Sequence, residues 1–215
     1  MRVFYSSELD PHHPLALTCA NRGLTLIQQS LLTFESIPSL PSHSFDIIFF
    51  SSPRAYQFGK HLQTPSSLRA CFSKGTAKHI SGDIAWQGST PGKPVQTALD
   101  FKQWAGERRV LFPVSDRSLG SITKVFPSQQ IEELVVYKTL LSPVPIDLCD
   151  VYIFTSPSNV ASFFEANTLP REAKVVAWGE STKIALLQRK ISPAYTQGAE
   201  DTVAWEVVLA DLTNP

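Results

Sequence analysis

The sequence lacks most of what would announce a chemistry. It has three cysteines in 215 residues, Cys19, Cys71 and Cys149, an odd number with no C-x-x-C spacing. That excludes a disulfide framework and a cysteine-rich zinc site, and it suits buried thiols in a reducing compartment. No apolar run approaches the ~18 residues needed to span a bilayer. Met1-Arg-Val-Phe-Tyr5 enters a strand-like run with no leader visible, so a cytoplasmic protein is expected. Charge of one sign is not in excess: 19 basic and 19 acidic side chains cancel, giving no support to a nucleic-acid or membrane-surface role. There is no G-x-G-x-x-G, and Gly179-Glu-Ser-Thr-Lys183 lacks the order and upstream glycine of a phosphate loop. No histidine follows His79, so the second half holds no Ser/His/acid set of its own. His12-His13 lies between prolines and reads as a solvated loop, leaving no metal site.

What the chain does have is a phrase said twice. Asp46-Ile-Ile-Phe-Phe-Ser-Ser-Pro-Arg54 is echoed by Asp150-Val-Tyr-Ile-Phe-Thr-Ser-Pro-Ser158. Each is an Asp, four apolar residues, a hydroxyl pair and a proline. Cys71-Phe-Ser-Lys-Gly-Thr76 and Ala177-Trp-Gly-Glu-Ser-Thr182 follow at similar distances, and Gln87-Gly-Ser and Gln197-Gly-Ala make a third echo. Three landmarks kept in one order argue for two related halves.

The apolar runs at 46–50 and 151–154 suit parallel strands covered on both faces. Around them, short strands are expected at 2–7, within 24–34, and at 69–73, 84–86, 110–114, 132–141, 174–178 and 194–196. Helices are expected at 14–22 (stopped by Gly23), after Ser52, from Gly75-Thr76, and at 95–104, 119–125, 157–166, 181–188 and 201–211. The alternation means parallel α/β layers. The second repeat lacks a strand–helix–strand unit that the first 35 residues supply. The expectation is therefore two α/β domains, one from 1–36 plus 144–215 and one from 43–136, with linkers at 37–42 and 137–143.

Parallel α/β sheets bind ligands beyond the carboxyl ends of their strands, against helix N-termini whose free N–H groups favour anions. Ser51-Ser52, Thr155-Ser156, Thr76 and Thr182 all fall at such junctions. Any one of them alone is a helix cap; four in matched places point to a shared cleft for a polyanion. Tyr137, at the end of an extended apolar run, is either a ring-packing strand residue or a phenol able to give a proton to a departing hydroxyl.

Phe154-Thr-Ser-Pro-Ser-Asn-Val160, Gly179-Glu-Ser-Thr182, Ser51-Ser-Pro-Arg54 and Val135-Val-Tyr-Lys-Thr139, in this order and spacing, resemble the uroporphyrinogen-III synthase family over essentially the whole chain. The resemblance implies two flavodoxin-like, HemD-like halves joined by a two-stranded linker, with a wide cleft and no cofactor. It implies a cyclising hydro-lyase of tetrapyrrole (haem and sirohaem) biosynthesis that converts hydroxymethylbilane to uroporphyrinogen III, inverting ring D and losing water. By the same resemblance Tyr137 matches the linker tyrosine that assists loss of the hydroxyl. Ser52, Thr76, Ser156 and Thr182 match turn positions that would hold substrate carboxylates, and Arg54 and Ser181, in the same motifs, are candidate substrate-binding residues beside them. Two departures stand out: Ser73 occupies a position where glycine is usual, and the first strand ends in Tyr5-Ser-Ser7 where many members carry an arginine.

The chemistry needs little machinery. Loss of the hydroxyl gives a reactive azafulvene that cyclises unaided, so an enzyme has mainly to fix which carbon of ring D reacts, a task for conformation and proximity. Arg54, Lys74, Arg117, Lys138 and Lys183 could add charge for a substrate of eight carboxylates. The expected partners are this small molecule and, by hand-over, hydroxymethylbilane synthase; no nucleic acid or membrane is expected, and the protein is expected to be a monomer. A non-catalytic tetrapyrrole- or polyacid-binding regulatory module on the same scaffold is the alternative. A nucleotide-sugar transferase would fit the alternation but not the missing phosphate loop.

Overall fold

The computed structural model describes residues 1–90, 94–197 and 205–213. In chain order the elements are β1 (Arg2–Tyr5), α1 (Pro14–Asn21), β2 (Thr25–Gln28), β3 (Leu32–Ser36), β4 (Ile47–Phe50), α2 (Pro53–Gly59), β5 (Leu68–Cys71), α3 (Lys74–Ala77), β6 (Trp86–Gln87), α4 (Pro94–Ala105), β7 (Val110–Ser115), β8 (Ile131–Leu141), β9 (Val151–Phe154), α5 (Pro157–Ala166), β10 (Lys174–Trp178), α6 (Glu180–Leu187), β11 (Tyr195–Gln197) and α7 (Trp205–Thr213). The fold is mixed α/β with parallel sheets. Of the helix expected at 201–211, residues 201–204 lie outside the described residues.

The chain divides into two compact units, Met1–Thr33 with Leu140–Pro215, and Phe34–Thr139. The first holds a five-stranded sheet in the order β11-β10-β9-β1-β2, and the other sheet runs β3-β8-β7-β4-β5-β6. Setting β3 aside, the two orders are the same, with β9, β10 and β11 standing where β4, β5 and β6 stand. The N-terminal strands β1 and β2 fill the places of β7 and β8. The repeat is thus closed by the start of the chain. The chain passes between the units inside β3 and inside β8, whose antiparallel pairing shows in the Ser142 N to Leu31 O and Ile37 N to Val136 O bonds, both 2.9 Å.

Continuous apolar strands have the expected cause. On β4, Ile47 and Phe49 enter one core with Phe101, Phe112 and Phe126, while Ile48 and Phe50 enter another with Leu111 and Tyr56. On β9, Val151 and Ile153 pack with Trp205 and Leu209 on one face, Tyr152 and Phe154 with Phe4 and Phe163 on the other. Both strands are fully buried, so each residue is worth about 1.5–3 kcal/mol whichever way it points.

Three sequence expectations need correction. The segment 119–125 is not an α-helix: Gly120 takes φ +61°, and only Thr123–Val125 winds, as a single 3-10 turn. So short a run with that break cannot sustain i to i+4 bonding. The strand at 84–86 shrinks to Trp86–Gln87, an edge pairing with Ala70 and Cys71. The helix after Cys71 is a single turn capped by Ser73, with Thr76 inside it, so Gly75-Thr76 does not open it.

Candidate functional site

The two hydroxyl-proline turns are built alike. Ser52 and Ser156 are both extended N-caps (φ −157° and −161°), each followed by proline at the first helical position, where no N–H is wasted. Ser52 Oγ accepts from Ala55 N at 3.1 Å and Ser156 Oγ from Asn159 N at 3.2 Å. Both turns follow the buried central strand of their own sheet, at its carboxyl end.

The first unit adds a polar lock that sequence reasoning missed. Ser6, fully buried just beyond β1, accepts from Thr155 N at 2.9 Å and lies 3.2 Å from Thr155 Oγ1. Asn159, also buried, donates from Nδ2 to Thr155 Oγ1 and to Ser156 Oγ, both at 3.0 Å. Ser156 Oγ therefore accepts twice from one residue, and its own O–H finds no acceptor among the described residues, leaving it to donate outwards. Position 55, the counterpart of Asn159, is alanine, so Ser52 has no such brace. Ser6 and Thr155 are 149 positions apart, beyond any local pattern.

The threonine turns differ from each other. Gly179 caps α6 at φ +90° with no side-chain acceptor, so Glu180, Ser181 and Thr182 present N–H groups ahead of the first helical bond, Lys183 N to Gly179 O at 3.1 Å. Ser181 is exposed. Thr182 is fully buried and its O–H is spent on Trp178 O at 3.0 Å, so it braces the turn from within. Glu180 adds negative charge to that turn, partly offset by Lys183 at 3.3 Å. In the other unit Ser73 stands where Gly179 does, and its side chain takes the Thr76 N–H at 3.3 Å. Thr76 itself is buried, 3.3 Å from Ser73 Oγ. A side-chain cap replaces the open glycine turn, and one fewer N–H is free.

Tyr137 is placed by a β-bulge. Val114 pairs with Val135 but Ser115 pairs with Tyr137, so one extra residue on β8 shifts the alternation. Without it Tyr137 would share a face with Glu133 and Val135. Instead it joins Val136 in the core around Phe50 and Leu111. Its ring stacks on Phe58 (centroids 5.0 Å, 20°) and meets Phe34 edge-on at 6.1 Å. Arg54 lies over that same Phe34 ring, its guanidinium carbon 3.8 Å from the centroid. The structure thus brings Arg54 and Tyr137 around one aromatic that the sequence did not single out. Tyr137 is 9% exposed, and no partner for its hydroxyl lies among the described residues.

On the other face of that sheet, near Ser51, a cavity of about 310 Å³ is walled by Phe72, Phe112, Val114 and Ile122, with Glu133 among its polar groups. His13 caps α1, its Nδ1 accepting from Leu15 N at 3.2 Å; among the described residues no group of three or more His, Cys, Asp and Glu is placed to hold a metal ion. Burial holds the His13 imidazole below its usual range, with Asp10 acting weakly in the other sense.

A family model described as uroporphyrinogen-III synthase HemD matches residues 14–202. No curated protein matches the chain. Among solved structures, the uroporphyrinogen-III synthetase of Helicobacter pylori is similar over 99% of this chain and 100% of its own, with TM-score 0.68 at 17% identity. A mutant uroporphyrinogen III synthase of Thermus thermophilus is similar over 98% of this chain and 96% of its own, with TM-score 0.52 at 15% identity. At such identities the structural likeness speaks for the fold. The family match spans most of the chain, and with it the chain belongs to the uroporphyrinogen-III synthase (HemD) family.

Proposed function

We propose that the chain cyclises hydroxymethylbilane to uroporphyrinogen III, acting as a hydro-lyase with inversion of ring D. The observation that carries this reading, beside family membership, is the matched pair of serine-capped turns at the carboxyl ends of β4 and β9. A substrate with eight carboxylates needs many dispersed donors and few reactive groups, and both units supply them. In the first unit these are the outward O–H of Ser156, the exposed Ser181 and the free N–H groups opening α6, with Thr182 as the brace behind them. In the second they are Ser52 and Arg54, with Thr76 holding the α3 turn beside Ser73.

Tyr137 is the proton donor in this scheme. Its phenol passes a proton to the departing hydroxyl, which leaves as water while the pyrrole nitrogen lone pair pushes in, giving an azafulvenium cation beside the tyrosinate, which recovers its proton from the carbon skeleton after ring closure. The ring system then closes on whichever ring D carbon the bound conformation presents. Because the substrate cyclises unaided, direct transfer from hydroxymethylbilane synthase to a cytoplasmic monomer completes the proposal. No described helix is long and apolar enough to cross a membrane.

The test is a coupled assay in which hydroxymethylbilane is generated in situ and the oxidised products are separated as type I and type III porphyrins. Mostly type III is expected. Only type I, at the rate seen without protein, would reject catalysis and favour the regulatory polyacid-binding module.

A further inference from the structure

The cavity on the Glu133 face of the second unit has the shape and chemistry of a single-ring subsite. Its volume, about 310 Å³, is at the small end of ligand pockets, which run about 300–1,000 Å³. That is room for one heteroaromatic ring with short side chains and too little for a tetrapyrrole. The walls are flat and apolar: Phe72, Phe112, Val114 and Ile122. It opens beyond the carboxyl ends of β4, β5 and β7, where parallel sheets place ligands.

One carboxylate lines this space, that of Glu133, a residue otherwise exposed to solvent. Glu133 Oε1 accepts from Thr123 Oγ1 at 2.6 Å, which fixes the side chain against the 3-10 turn. Its second oxygen has no donor among the described residues. Gly120 suits the turn because it takes φ +61°; a Cβ there would crowd Thr123 Oγ1 at 3.1 Å while meeting Glu133 Oε1 in ordinary contact at 3.5 Å. A fixed carboxylate would repel the acid side chains of a polycarboxylate and attract an N–H. Ser51, Ser118 and Ser121 supply hydroxyl donors around the rest of the cavity.

We propose that this cavity holds one pyrrole ring of a linear tetrapyrrole, its N–H donated to the free oxygen of Glu133 and its acid chains turned away towards the serine hydroxyls. This rests on the proposed substrate class. A ring entering in that sense also places the carboxylate beside the nitrogen that gains positive charge when an azafulvene forms.

The test uses the full chain and a monopyrrole carrying one acetate and one propionate chain, titrated against protein labelled at Ile, Leu and Val methyls. Saturable shifts are expected at Val114 and Ile122. Glu133→Gln keeps the acceptor for Thr123 but turns an N–H donor into the cavity, so binding should weaken about tenfold, the loss of one charge-assisted hydrogen bond. Thr123→Val releases the side chain without removing its charge and should stay within about twofold of the wild type. No saturable shift at these methyls overturns the proposal. So does an unchanged midpoint in Glu133→Gln, or an equal loss in both variants, which would mark Glu133 as a fastening for the turn. The isomer assay runs alongside: wild type giving only type I would reject the proposed reaction, and the monopyrrole titration still decides the ring site.

Discussion

The polar lock at the start of α5 makes a quantitative test of the geometry. Asn159 Nδ2 to Ser156 Oγ (3.0 Å) is the one side-chain bond the two residues share. Ser156→Ala removes that bond and the cap on Asn159 N, a cap being worth about 1 kcal/mol. Asn159→Ala removes the bond to Ser156 and the one to Thr155, about 1 kcal/mol each. It also removes Asn159 Oδ1, a buried acceptor with no partner, whose relief offsets about 1 kcal/mol of that loss. Each single variant should then lose about 1–2 kcal/mol, and the double variant about 1 kcal/mol less than their sum, because the shared bond is lost only once. Urea titration followed by the four indole N–H signals reads this unit by unit, since Trp178 and Trp205 stack in the first unit while Trp86 and Trp104 lie in the second. Additivity within about 0.3 kcal/mol would refute the lock. A loss read equally by Trp86 and Trp104 would refute its confinement to the first unit.

Other expectations follow from single features. Tyr137→Phe keeps the ring between Phe58 and Phe34, so stability should change by less than about 0.5 kcal/mol while the rate of type III formation falls about tenfold or more; equal rates in a stopped assay would remove Tyr137 from the chemistry. Gly88→Ala drives a Cβ into the Phe72 carbonyl oxygen, backbone that cannot yield cheaply. A loss of about 3 kcal/mol or more is expected in the second unit, by the same indole signals. His13 has a depressed pKa in the fold, so its contribution is complete above the unfolded value near 6.5 and is lost as pH falls through the folded value. Protonated Nδ1 can no longer accept from Leu15 N. Thermal melts from about pH 7 to 5 should therefore fall more steeply for the wild type than for His13→Asn, which caps without titrating.

Local chemistry alone determined a good deal. The parallel α/β class follows from short apolar runs alternating with capped helical patterns, and α5 falls on 157–166 as Ser156-Pro157 and its amphipathic spacing require. Both serine caps were legible because a cap is a contact over three residues. The 119–125 segment misled because its apolar spacing suits a helix while Gly120 breaks it. What the tertiary structure alone decided is every property that depends on partners far along the chain. The Ser6–Thr155 contact spans 149 positions, the Phe34–Arg54–Tyr137 cluster gathers three elements, and the Glu133 cavity borrows walls from several strands and a turn. The face on which Tyr137 lies was hidden for a sharper reason: strand alternation has a period of two, and a single extra residue at Val136 inverts it. A bulge costs the sequence one position and leaves no mark in composition, yet it moves the phenol from the cavity side of the sheet to the side of Phe58.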